Sequence, residues 1–66
     1  MEKKFTFGGF EYVLCQENGA SLTVNGRKVS EWILRNCTER GREFVSKLYV
    51  PNRRGAVAYA KEWLAA

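Results

Sequence analysis

The sequence predicts a small α+β domain, an antiparallel β-meander of three to five strands packed with two helices, in the order βββ(β)αβα. Three observations predict it. Two Asn-Gly pairs, Asn18-Gly19 and Asn25-Gly26, punctuate short β-prone runs in the first half. Ser30 followed by Glu31 opens a stretch that can wind as a short helix. From Ala56 to Ala66 the chain is rich in strong helix formers.

Asn-Gly supplies positive φ at both central positions of a type I′ turn, so the two pairs predict strands near 10–17, 20–24 and 27–29. A two-residue turn also sets the register. Around Asn18-Gly19, Cys15 faces Leu22 and Val13 faces Val24. Around Asn25-Gly26, Val24 faces Arg27 and Leu22 faces Val29. One sheet face then carries Val13, Cys15, Leu22, Val24 and Val29, and this aliphatic face is the expected core. The other carries Phe10, Tyr12, Leu14, Ser21, Thr23 and Lys28. If Gly8-Gly9 is a tight turn, Phe7 faces Phe10 and Phe5 faces Tyr12 on that second face. If it is a bulge, Phe5 and Phe7 lie elsewhere.

Ser30 caps a helix over about 31–39, with Trp32, Ile33, Asn36 and Cys37 on one face and Gly41 as its stop. Residues 43–50 admit a helix, with Phe44, Val45 and Leu48 on one face, or a strand, and their β-branched and aromatic content and Pro51 directly after them favour the strand. In that strand Phe44, Ser46, Leu48 and Val50 alternate against Val45, Lys47 and Tyr49. Asn52 caps the last helix, whose Ala56, Val57, Ala60, Trp63 and Leu64 face the sheet. The predicted core is Val13, Leu22, Val24, Trp32, Ile33, Phe44, Leu48, Val57, Ala60, Trp63 and Leu64.

Sixty-six residues form one domain, 1–66, with no room for a second core. A chain of this size buries only about 60% of the surface it exposes when unfolded. An apolar fraction of 45% with a single Pro excludes a disordered composition. The sequence has no His, and all seven acidic residues are Glu. Ser-His-Asp and Cys-His catalysis therefore have no residues to run on. Cys15 and Cys37 lack CxxC spacing and are too few for a zinc site or a disulfide framework, so they read as reduced thiols. No enzyme activity and no cofactor is expected. No run approaches the ~20 apolar residues that span a bilayer, so the reading is a cytoplasmic protein without a membrane partner.

The net charge is +4 and it is unevenly placed. Residues 1–26 set Lys3 and Lys4 against Glu2, Glu11 and Glu17. Residues 27–61 set nine Lys and Arg against Glu31, Glu39 and Glu43. A basic half favours an acidic partner. Arg53 and Arg54 sit where a helix begins, a place that attracts phosphate and ordinarily disfavours Arg. Arg40 and Arg42 occupy the turn at the other end of the strand over 43–50, about 25 Å away. With Lys28 and Lys47 these cations make the leading expectation: a non-catalytic module docking on nucleic acid or a nucleoprotein complex through phosphate contacts.

The aromatic face supplies the alternative. Phe5, Phe7, Phe10 and Tyr12, with Tyr49 and Tyr59, make anchors for an acidic protein surface, as in a small phage-type adaptor or inhibitor. Exposed aromatics beside bases also suit the stacking of single-stranded nucleotides. In a domain this small, a second layer of core is the more economical use of that face. A homodimer burying it is a third reading.

Overall fold

In the computed structural model, which describes residues 1–16 and 21–66, β1 (Glu2–Phe7) turns at Gly8-Gly9 into β2 (Phe10–Cys15). Both glycines have positive φ, +59° and +82°, as a type I′ hairpin turn demands. Phe5 pairs with Tyr12 and Phe7 with Phe10, the register of the tight-turn reading. The backbone N–H of Gln16 donates to the carbonyl of Met1 at 2.9 Å and closes the open end of the hairpin.

Next come β3 (Ser21–Val24) and β4 (Arg27–Thr38). They are joined by Asn25-Gly26, also at positive φ, and pair in the expected register of Leu22 with Val29 and Val24 with Arg27. Asn18-Gly19 lies outside the described residues, but the pairing expected around it does not form. Cys15 pairs with Glu2 and Ile33, and Val13 with Lys4 and Arg35. β2 and β3 are therefore not partners of each other. β2 and β5 (Gly41–Val50) both pair with β4 at Ile33–Cys37 and so flank it on opposite sides. Ser30 pairs with both Ser21 and Val50, which places β3 on β2's side, end to end with it.

The fold is thus mostly β, a five-stranded antiparallel sheet with one C-terminal helix, and not two helices on a meander. The helix expected over 31–39 is the middle of β4. Local capping signals at Ser30 and Glu31 lose to tertiary context, since this segment pairs on both edges and alternates Trp32 and Leu34 against Ile33 and Arg35. Gly41 ends a hairpin turn, not a helix. The Thr38 hydroxyl accepts from the N–H of Arg40 at 3.2 Å and donates to the carbonyl of Gly41 at 3.3 Å.

A 3-10 turn (Arg53–Gly55) leads into α1 (Ala56–Ala65). Asn52 caps the turn, its side-chain oxygen accepting from the N–H of Arg54 at 3.0 Å. The helix packs on the face that carries Phe5, Tyr12 and Leu14, opposite the aliphatic face expected to hold it. Leu14, Trp32, Leu34, Leu48, Val50, Ala56 and Ala60 form the buried cluster, with Phe5, Tyr12, Val45, Val57, Tyr59 and Leu64 packed against it. Burying each large side chain contributes about 1.5–3 kcal/mol. The ammonium of Lys3 stands 5.6 Å from the centre of the Trp32 ring.

Four members of the predicted core, Leu22, Val24, Phe44 and Trp63, are exposed. Leu22 and Val24 pair with Val29 and Arg27 and so lie on the face opposite the helix. Trp63 falls at the edge of the packed stripe, where Tyr59 takes the inner place. Phe44 is turned outward by a β-bulge. Leu34 pairs with Ser46 but Arg35 with Phe44, so Val45 is the extra residue. Strict alternation would put Phe44 beside Leu48 and Val50. The bulge sends Val45 inward and leaves Phe44 65% exposed.

Candidate nucleic-acid interface

One face of the sheet is closed by α1. Among the described residues no helix or strand packs on the other. Register places Glu2, Lys4 and Thr6 of β1 on this open face, with Glu11, Val13 and Cys15 of β2. Glu31, Ile33, Arg35 and Cys37 of β4 share it with Arg42, Phe44, Lys47 and Tyr49 of β5. Val13, fully buried here, lies between Lys4 and Arg35, whose aliphatic stems can cover it.

Two aromatic rings stand out from the face. Phe44 is 65% and Tyr49 43% exposed, and β-strand rise separates them by about 15 Å. Cations alternate with them. Arg35 is the cross-strand partner of Phe44, Lys47 lies between the rings on β5, and Arg42 precedes them.

Arg42 and Lys47 hold carboxylates. Arg42 makes two hydrogen bonds to Glu2, at 2.9 and 3.0 Å. This hydrogen bonding, then the Coulomb attraction, raises the Arg42 pKa, and hydrogen bonding to Arg42 leads in lowering that of Glu2. Lys47 reaches Glu31 at 3.1 Å, and that hydrogen bond, followed by the charge of Glu31, raises its pKa. Both pairs are open to water, where a phosphate can replace a carboxylate at little cost. A groove of about 720 Å³ at this corner is lined by Lys4, Thr6, Glu11, Cys37 and Arg42.

The cations singled out in the sequence do not form one zone. Arg42 and Lys47 lie on the open face. Lys28 projects from the other side of β4, Arg40 sits in the β4–β5 turn, and Arg54 in the 3-10 turn before α1. The side chain of Arg53 lies outside the described residues. The aromatic set also divides. Phe5 and Tyr12 stack at 5.5 Å between ring centres and pack against the core, as does Tyr59. Phe7 is half-buried, Phe10 is exposed at the hairpin tip, and Tyr49 belongs to the opposite face. Sequence reasoning missed Phe44 as a surface group, and the bulge that exposes it has no composition signal in EFVSK.

Compared with protein-family models, with curated proteins and with solved structures, the chain matches none. Among the described residues no helix is long and apolar enough to cross a membrane, and no three His, Cys, Asp or Glu side chains gather where they could hold a metal.

Proposed function

We propose that the protein is a non-catalytic nucleic-acid-binding module that takes single-stranded segments on its open sheet face. The observation that carries this reading is the outward turn of Phe44 at the β-bulge, onto the same face as Tyr49. In so small a domain, large apolar side chains are scarce core material. A backbone irregularity that removes one from the core and sets it among Arg35, Arg42 and Lys47 fits a stacking platform with phosphate contacts. Interleaved charge favours a polyanion over a protein partner, whose contact core is ordinarily depleted of charge.

Fluorescence anisotropy with labelled oligothymidylate and oligouridylate tests it. Binding is expected at low salt, weakening as salt rises because each phosphate contact releases a counterion. Phe44→Ala and Tyr49→Ala are each expected to weaken it by about tenfold or more, the worth of one stacked base. No binding by the wild-type protein at low salt, or equal binding by both variants, overturns the reading.

A further inference from the structure

β3 and the first residues of β4 leave the body of the sheet as a two-stranded arm. β2 reaches along β4 only to Ile33 and β5 only to Ser30, so among the described residues Arg27–Val29 pair with β3 alone. β4 runs the length of the molecule, whose longest dimension is 39 Å against 24 and 17 Å for the others. Residues 21–30 hold Arg27 and Lys28 and no acidic residue, in contrast to the sheet body, where Glu2, Glu11 and Glu31 share the open face. Arg27 and Val29 have the same parity on β4 as Glu31, Ile33 and Arg35. With their partners Val24 and Leu22 they therefore continue the open face outward along the arm. Leu22 is 39% and Val24 45% exposed there.

We propose that this arm is the far end of the single-strand site, with Arg27 holding a phosphate beyond the base stacked on Tyr49. The proposal rests on the platform reading and extends it to a direction and a length. Arg35, Glu31 and Arg27 mark successive stations on β4, opposite Phe44, Tyr49 and Val24. From Arg35 to Arg27 the strand rises about 26 Å. An extended single strand advances roughly 6 Å per nucleotide, so the track holds about five nucleotides, within the range of small single-strand sites. Leu22 and Val24 offer the sugar or base of the last nucleotide an apolar contact, and an arm of purely positive charge complements its phosphate. A second copy of the chain suits the arm less well, because edge-to-edge pairing of identical arms sets Arg27 and Lys28 against their own kind.

The test is a length series of oligothymidylates from two to ten nucleotides, read by anisotropy, with the wild type, Arg27→Glu/Lys28→Glu and Phe44→Ala. For the wild type, affinity is expected to climb to about five or six nucleotides and then level off. The arm variant is expected to level off at about three, to bind longer oligomers about tenfold more weakly, and to match the wild type on the shortest. Its salt slope should be shallower by about one to two. Both substituted residues are exposed, and an unchanged melting temperature confirms folding. Equal binding of a ten-nucleotide oligomer by wild type and arm variant, while Phe44→Ala weakens it, overturns the arm alone. A uniform loss at every length also overturns it, since the arm would then act only as general charge. Failure of the wild type to bind any oligomer overturns both the arm and the platform.

Discussion

Arg42 clasps Glu2 through two hydrogen bonds, 2.9 and 3.0 Å long, across 40 positions of sequence. The fork ties β5 to β1, the two outer strands, over the open face. Glu2 is held below its ordinary value by this partner, so its contribution to stability has a definite sign. It is present in full above the ordinary glutamate range and is lost as pH falls through the lowered folded value. Glu2→Gln is expected to melt slightly below the wild type at neutral pH, with the gap closing in acid. Both side chains are about 40% exposed, so added salt should also shrink it. Thermal melts of the two proteins at pH 7 and pH 3, in low and high salt, check this. A gap that does not narrow at all between pH 7 and pH 3 would mean that the substitution acts through something other than the carboxylate charge.

The same fork holds back a cation of the proposed site. Glu2→Gln removes the competing carboxylate and leaves the Arg42 guanidinium for phosphate. Affinity for a short oligothymidylate is expected to rise at low salt, and the slope of log affinity against log salt to steepen by about one. Anisotropy titrations at four or five salt concentrations measure it. Unchanged affinity and slope would show that Arg42 contacts no phosphate.

The hairpin turns can be tested apart from any ligand. Gly9 has φ +82°, and a Cβ placed there meets nothing within 4 Å. Gly9→Ala therefore adds backbone strain without a clash, and should cost about 1–2 kcal/mol. Gly55 offers the contrast. Its φ of −94° and ψ of 14° suit any residue, and its Cβ position is equally open. Gly55→Ala should be neutral or stabilise by about 0.4–1 kcal/mol, through reduced freedom of the unfolded chain. Urea melts of both variants decide between these opposite outcomes.

Turn chemistry at Asn25-Gly26 was legible because it acts over four residues, whereas Gly8-Gly9 left a tight turn and a bulge both open until its pairing was seen. The strand over 43–50 and the last helix were legible for the same kind of reason. What the sequence hides is the choice among partners. Asn18-Gly19 suggests a local hairpin, yet β2 and β3 each find β4, which Trp32 to Cys37 join only once that stretch is extended. Its helix reading and its strand reading bury comparable apolar side chains, and two flanking strands decide between them. Phe44 shows a subtler limit. One extra residue at Val45 reverses the inward and outward positions of everything before it on β5, and period-two patterning cannot register that slip. The carboxylates that hold Arg42 and Lys47 were equally hidden, because only strand pairing brings Glu2 and Glu31 beside them.

Closed and open faces should respond independently to substitution. Ala56 and Ala60 are fully buried where the helix meets the sheet, so their small side chains set how closely the two approach. Ala60→Leu forces extra volume into that seam and is expected to destabilise by about 1–3 kcal/mol. Ala58, exposed on the same helix, should accept Leu with little change. Phe44→Ala removes a ring that is mostly in solvent and should leave the melting temperature nearly unchanged while weakening oligonucleotide binding. Ala60→Leu, measured well below its melting temperature, should bind like the wild type. Measuring stability and affinity for all three variants separates the two faces. If Ala60→Leu loses as much affinity as Phe44→Ala while still folded, the ligand is read through the helix side, and the open sheet is not the platform.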